Sequence, residues 1–298
     1  LTLCLLAIGC SKSGSSTREE GKLFAVATTG MVADIVRNVG GDHVSVEAIM
    51  GPGVDPHLYK ASPGDVQTLQ EADIIFYNGH FLEGKMEEIF EQLAERKEVM
   101  AVSETLDIGE MIETTEYQGH PDPHVWFDVE LWSRLVMPVA DRLAEFDPDN
   151  AEDYRSNAEA YVAELIELDA WVEEQVATVP ESGRVMITAH DAFGYFGRAY
   201  NIQVMGIQGI STESEPGLKE INELVDRIVE NNVKAVFVET SVSDRNVEAI
   251  IEGAVVKGSE VKMGGSLFSD AMGEDGTPEG TYLGMVRHNV STIVGALK

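Results

Sequence analysis

Residues 149–180 read DNAEDYRSNAEAYVAELIELDAWVEEQVATVP. Apolar residues or Ala fall at Ala151, Tyr154, Ala158, Tyr161, Val162, Leu165, Leu168, Ala170, Val172 and Val176, close to helical spacing throughout. No Gly or Pro interrupts the run before Pro180, and Pro148 stands ahead of it as a start signal. The spacing predicts one helix over 149–180, about 45 Å long at roughly 1.5 Å per residue. That is the length of a domain. An ordinary surface helix would fit the pattern as well; what surrounds it makes it a rigid strut.

On both sides of the helix, short apolar runs alternate with amphipathic stretches. Strands are expected over 24–29, 44–50, 73–78 and 99–103 before it, and over 185–188, 203–207, 235–239 and 260–264 after it. Helices are expected over 31–39, 64–71, 82–96, 220–230 and 244–256. Alternation of this kind gives mostly parallel sheets flanked by helices. The expected fold is α/β, with two lobes joined by one long rigid helix. The segments are 1–21 (leader remnant and tether), 22–148 (first lobe), 149–180 (connecting helix) and 181–298 (second lobe).

The chain has 298 residues, 44% hydrophobic, enough for a large core. Its formal net charge is −31. Such a field repels nucleic acid and attracts cations, although acidic surfaces also serve solubility or high salt. The two cysteines, Cys4 and Cys10, lie in the first ten residues. The apolar run 1–9 before Cys10, with a Ser/Gly/Lys/Thr tether after it, reads as the end of a secretory leader, too short to span a bilayer. Ala7-Ile8-Gly9-Cys10 resembles a bacterial lipobox, with Cys10 as the lipidated residue. Cleavage there removes Cys4, so a metal site must use His and carboxylates.

Of seven histidines, two share a pattern: Asp55-Pro56-His57 after the 44–50 strand, and Asp122-Pro123-His124 before Val125-Trp126-Phe127. In each, Pro stiffens the backbone, and the acid two residues back is placed to hold one ring nitrogen while the other binds metal. Singly, each triplet reads equally well as a turn. His190 closes the 185–188 strand segment, and Asp270 follows the 260–264 strand. Ligands in open parallel sheets bind beyond the carboxyl ends of strands. Glu239, at the end of Ala235–Glu239, is a candidate to orient a ligand, or a solvated strand end. Trp126 reads as core beside His124. His43, His80, His120 and His288 read as surface or structural.

The segments 51–59, 122–128, 188–196 (Thr-Ala-His-Asp-Ala-Phe-Gly-Tyr-Phe), 206–215, 268–273 and 280–289 together resemble the TroA-like family, the zinc- and manganese-binding lipoproteins of ABC importers. The likeness runs over 22–298. It implies a single metal ion held between the lobes by His57, His124, His190 and Asp270. It also implies an ABC permease as partner, attachment to the membrane through an N-terminal lipid, an extracytoplasmic location and a monomer that is not an enzyme. The His- and acid-rich loop frequent in zinc-specialised relatives has its equivalent here over 110–121, where His120 is the single histidine; manganese-leaning relatives often carry Glu where His190 stands. Three imidazoles and a carboxylate suit zinc first, and a bidentate Asp270 gives manganese a fifth contact, so both ions are expected to bind. The rival readings are a zinc hydrolase, against which stands the lack of a His-Glu-x-x-His motif, and a surface adhesin.

Overall fold

The computed structural model describes residues 18–114, 117 and 119–298. The readings on Cys10, the leader remnant and most of the tether fall outside them.

The first lobe is built on β1 (Leu23–Ala27), β2 (Val44–Ala48), β3 (Ile74–Tyr77) and β4 (Glu98–Ala101), and the second on β5 (Val185–His190), β6 (Gln203–Gln208), β7 (Ala235–Glu239) and β8 (Lys262–Leu267). The helices are α1 (Gly30–Gly40), α2 (Pro63–Glu71), α3 (Glu87–Ala94), α4 (Val129–Ser133), α5 (Val136–Phe146), α6 (Ala151–Ala177), α7 (Gly194–Tyr200), α8 (Leu218–Glu230), α9 (Arg245–Val256) and α10 (Tyr282–Leu297). The sheet orders are β2-β1-β3-β4 and β6-β5-β7-β8. Every pairing is parallel. Central strands such as Phe24-Ala25-Val26-Ala27 are fully buried, as strands covered on both faces must be. In each sheet the first strand lies inside the second, so the chain reverses its winding direction there and opens a crevice at the strand ends.

Helix α6 runs for 27 residues after a 3₁₀ turn at Pro148–Asn150. It buries Tyr154, Ala158, Tyr161, Leu165, Leu168, Val172 and Val176. It packs on α1, α4 and α5 of the first lobe and on α7 and α10 of the second. One hydrophobic cluster therefore passes from Ala25 through α6 to Leu297. At its centre the buried Asp34 carboxylate of α1 accepts hydrogen bonds from the Tyr161 hydroxyl (2.5 Å) and from the backbone N–H of Tyr282 (3.2 Å). Three elements from both halves of the chain meet at that one side chain.

Two expected elements shift. The helix expected over 82–96 begins only at Glu87. Ahead of it, His80 and Phe81 take left-handed φ values of 49° and 65°. The buried Glu83 carboxylate accepts the Thr28 hydroxyl (2.6 Å) and the N–H groups of Asn78 (2.8 Å) and Gly79 (3.3 Å), so the chain wraps around it instead of coiling. The strand expected over 260–264 is Lys262–Leu267, because the pairing with β7 skips at Gly264: Val236 faces Met263 and Phe237 faces Gly265. Gly265, at φ 130°, makes that bulge possible.

Candidate metal centre

Each of the two lobes delivers two side chains to the crevice between them. In the first, the turn after β2 includes Gly53 at φ 70°, where a Cβ would come within 3.3 Å of the Thr240 carbonyl oxygen of the other lobe. This close approach brings His57 to the interface. The Asp55 carboxylate accepts the His57 backbone N–H (2.9 Å) through Oδ1 and the Thr212 hydroxyl (2.6 Å) through Oδ2. The expectation that Asp55 holds the His57 ring is thus corrected: its two oxygens are taken by backbone and by the second lobe. The ring instead places Nδ1 3.4 Å from the Tyr117 hydroxyl. That hydroxyl donates to the Phe81 carbonyl (2.6 Å), leaving its lone pair for the imidazole N–H.

His124 follows the expected pattern. Asp122 Oδ1 accepts both its backbone N–H (2.9 Å) and its Nδ1–H (2.7 Å). Trp126 is fully buried, stands edge-on to the His124 ring, and donates its indole N–H to the Ser269 carbonyl (3.0 Å), fixing the residue before Asp270. In the second lobe His190 is the last residue of β5, and Glu239 ends the neighbouring β7. Glu239 is buried, not solvated, and accepts the His190 backbone N–H (3.0 Å) and Nδ1–H (2.5 Å). Asp270 lies three residues beyond β8, in a loop that the Asn289 amide of α10 grips at both the N–H (2.9 Å) and the carbonyl (2.7 Å) of Phe268.

With every Nδ1 committed to an acceptor, each imidazole turns Nε2 inward. The Nε2 atoms of His57 and His124 are 3.2 Å apart. Asp270 Oδ1 is 3.4 Å from His124 Nε2, and its Oδ2 is 3.3 Å from His190 Nε2 and 4.0 Å from His57 Nε2. One donor atom from each of the four lies within 4.8 Å of the others, and all four residues are buried. His190 Nε2 and both Asp270 oxygens have no hydrogen-bond partner. A tetrahedral ion about 2.0–2.1 Å from its donors separates them by roughly 3.3–3.4 Å. The observed spacings match that, with His57 slightly withdrawn from Asp270.

The electrostatics are uneven around the cluster. Burial drives the His57 pKa down to about 3, against the pull of Asp270. Burial also opposes charge on His124 and His190, but carboxylates outweigh it. Asp122 and Asp270 raise His124 to about 9, and Asp270 and Glu239 lift His190 well above the usual imidazole value. Burial alone would raise Asp270; the His190 and His124 rings hold it well below the normal carboxylate range. The carboxylates thus favour a proton on His124 and His190, while burial disfavours one on His57.

The other histidines stand apart: His43 pairs with Asp153 (2.8 Å), His80 and His288 with the carbonyls of Ser103 (3.3 Å) and Ser266 (3.0 Å), and His120 stacks on Phe81. Tyr117 has no counterpart among the sequence-based expectations. Its segment has no motif, and nothing in its spacing ties it to His57.

A family model described as ZnuA, zinc-uptake complex component A, periplasmic, matches residues 25–296. The manganese-binding lipoprotein MntA of Bacillus subtilis is 47% identical over 290 residues, covering 97% of this chain and 94% of the relative. The zinc-binding protein TroA of Treponema pallidum is 44% identical over 300 residues, covering 99% of this chain and 97% of the relative. The solved structure of the periplasmic zinc-binding protein TroA from Treponema pallidum superimposes with a TM-score of 0.90 at 46% identity, over 93% of this chain and 99% of that one. Its two parallel sheets, its connecting helix, its buried cluster of three histidines and an aspartate, and these likenesses agree: the chain belongs to the ZnuA/TroA family of metal-binding solute-binding lipoproteins of ABC transporters.

Proposed function

We propose that this chain captures one divalent ion, zinc or manganese, outside the cytoplasm and releases it to the permease of an ABC importer. The carrying observation is the meeting of inward-turned Nε2 atoms with a carboxylate whose two oxygens are buried and unpartnered. Leaving such acceptors empty is costly, and a cation answers all of them at once. His57, His124, His190 and Asp270 are the proposed ligands. Tyr117, Asp122 and Glu239 fix the tautomers and aim the rings. Two free oxygens on Asp270 allow one contact for tetrahedral zinc or two for manganese, so the centre accepts either ion.

The family is one of non-enzymatic solute-binding proteins, and all four proposed ligands are buried. The lobes are assigned to 22–148 and 181–298, with 149–180 between them, and the working unit is a monomer. Cys10 is the proposed lipid anchor; none of the described helices is long and apolar enough to cross a membrane.

The test is metal content and affinity of protein purified without chelators. One zinc or manganese per chain is expected. His57→Ala and Asp270→Ala should each weaken binding by on the order of a hundredfold or more, since each removes a ligand outright. Equal stoichiometry and affinity in both variants would exclude these ligands.

A further inference from the structure

The ion's path to and from the centre is not explained by the ligand set. Of the four proposed ligands, His57 lines a cavity of about 110 Å³, together with Phe81, Gly84, Lys85, Tyr117, Ser211 and Glu213. Ser211 and Glu213 of this lining belong to residues 209–217, the loop joining β6 to α8. This loop belongs to the second lobe. Among the described residues, two contacts clip it to the first lobe. The Lys85 ammonium pairs with the Glu213 carboxylate. The Thr212 hydroxyl donates to Asp55 Oδ2 (2.6 Å), and Asp55 Oδ1 in turn accepts the His57 backbone N–H (2.9 Å).

We propose that residues 209–217 form the exchange gate of the metal centre, latched by Thr212–Asp55 and Lys85–Glu213, so that opening the latch sets the rate at which the ion leaves. The idea rests on the metal-capture reading above. Three features carry it. The hydrophobic cluster running through α6 holds the two lobes together away from the mouth, so exchange requires a local opening. Both clips join the same loop to the opposite lobe: Lys85 and Glu213 line the His57 cavity, and Thr212, one residue along the loop, lines with Asp55 a separate cavity of about 490 Å³. Asp55 links latch and ligand through one carboxylate, so losing the Thr212 bond frees the side chain that steadies the His57 backbone. Thr212 and Asp55 are positioning residues, and Lys85 and Glu213 form the outer bolt. Each clip is weak by itself, as suits a gate that must open in normal use. Lys85 adds a second effect: in a chain of net charge −31, its pairing with Glu213 keeps a cation at the mouth only while the gate is shut.

The test is a chase of zinc-loaded full chain with excess chromogenic chelator, read in the range where the rate no longer depends on chelator concentration. Thr212→Val removes the donor without changing shape, and Lys85→Glu sets like charges across the mouth. Each should speed zinc release by on the order of tenfold, equivalent to about 1.4 kcal/mol off the opening barrier, with one zinc per chain still bound. Lys85→Glu combined with Glu213→Lys should restore slow release, which a purely structural defect would not do. Glu215→Gln lies in the same loop but is bonded to Asn246 of its own lobe, and should leave the rate unchanged. Release rates within about twofold of the parent for both Thr212→Val and Lys85→Glu, at intact stoichiometry, would overturn the gate while leaving the capture reading standing. A parent protein that binds no zinc would overturn both.

Discussion

At the scale of single residues, the centre works by exchanging protons for an ion. Neighbouring carboxylates push His124 up to about 9 and raise His190 as well, which favours protons on both, while burial holds His57 down. A divalent cation that displaces two protons leaves the charge of the buried cluster unchanged, so no new charge is stranded in the interior. The sign follows from there. Protons and metal compete for the same Nε2 atoms, so affinity falls as pH drops below about 9 and rises toward it. Near pH 7, binding should release about two protons per ion; above about 9 the His124 proton is already lost and the number should drop. Calorimetry in buffers of differing ionisation enthalpy measures this directly, and pH-independent affinity with no proton release would contradict it. His57, His124, His190 and Asp270 were legible because they sit in motifs or at strand ends. Tyr117 and Thr212 were not, because their roles come from three-dimensional neighbours: Tyr117 reaches His57 across 60 residues and Thr212 reaches Asp55 across 157.

At the scale of elements, α6 was legible because its buried residues repeat at helical spacing without a breaker. The strands were legible as apolar runs. The helices that escaped did so for physical reasons. In α5, Pro138 sits in the first turn and reads as a breaker, although there it displaces no needed hydrogen bond. In α7, Gly194 and Gly197 hide the pattern, and a Cβ at Gly197 would come within 2.6 Å of the Ile202 carbonyl oxygen, so close packing demands glycine. Helix α10 buries Tyr282, Met285, Val286, Asn289, Val290, Ile293, Val294 and Leu297, too much of its circumference for a clear polar face. The Asp34–Tyr161–Tyr282 junction carries the prediction that belongs here. Tyr161→Phe takes the hydroxyl from a buried carboxylate whose pKa burial already raises. The cost should be roughly 1–3 kcal/mol, read as a lower urea midpoint with an unchanged slope. No loss of stability would show that the junction does not hold the lobes together.

At the scale of the whole molecule, two sheets of the same winding order point their strand ends at one crevice, and the strut supports both. Flexible two-lobed receptors close by bending at thin hinges. Here α6 joins the lobes through a continuous hydrophobic cluster, with Phe127 stacked on Phe193 and Trp132 on Tyr282 across the junction. Large rotation would tear that packing. Solution scattering profiles with and without zinc should therefore coincide, with radii of gyration differing by less than about 0.5 Å on the roughly 19 Å expected for a compact chain of this length. A clear compaction on binding would mean that the strut bends.

The central claim is that four side chains from two lobes grip a single ion, and X-ray absorption of the zinc-loaded protein addresses it most directly. The expected spectrum has nitrogen and oxygen scatterers at about 2.0–2.1 Å, outer-shell scattering from three imidazoles, and no sulfur. A sulfur shell, or outer-shell scattering from fewer than three imidazoles, would contradict the claim.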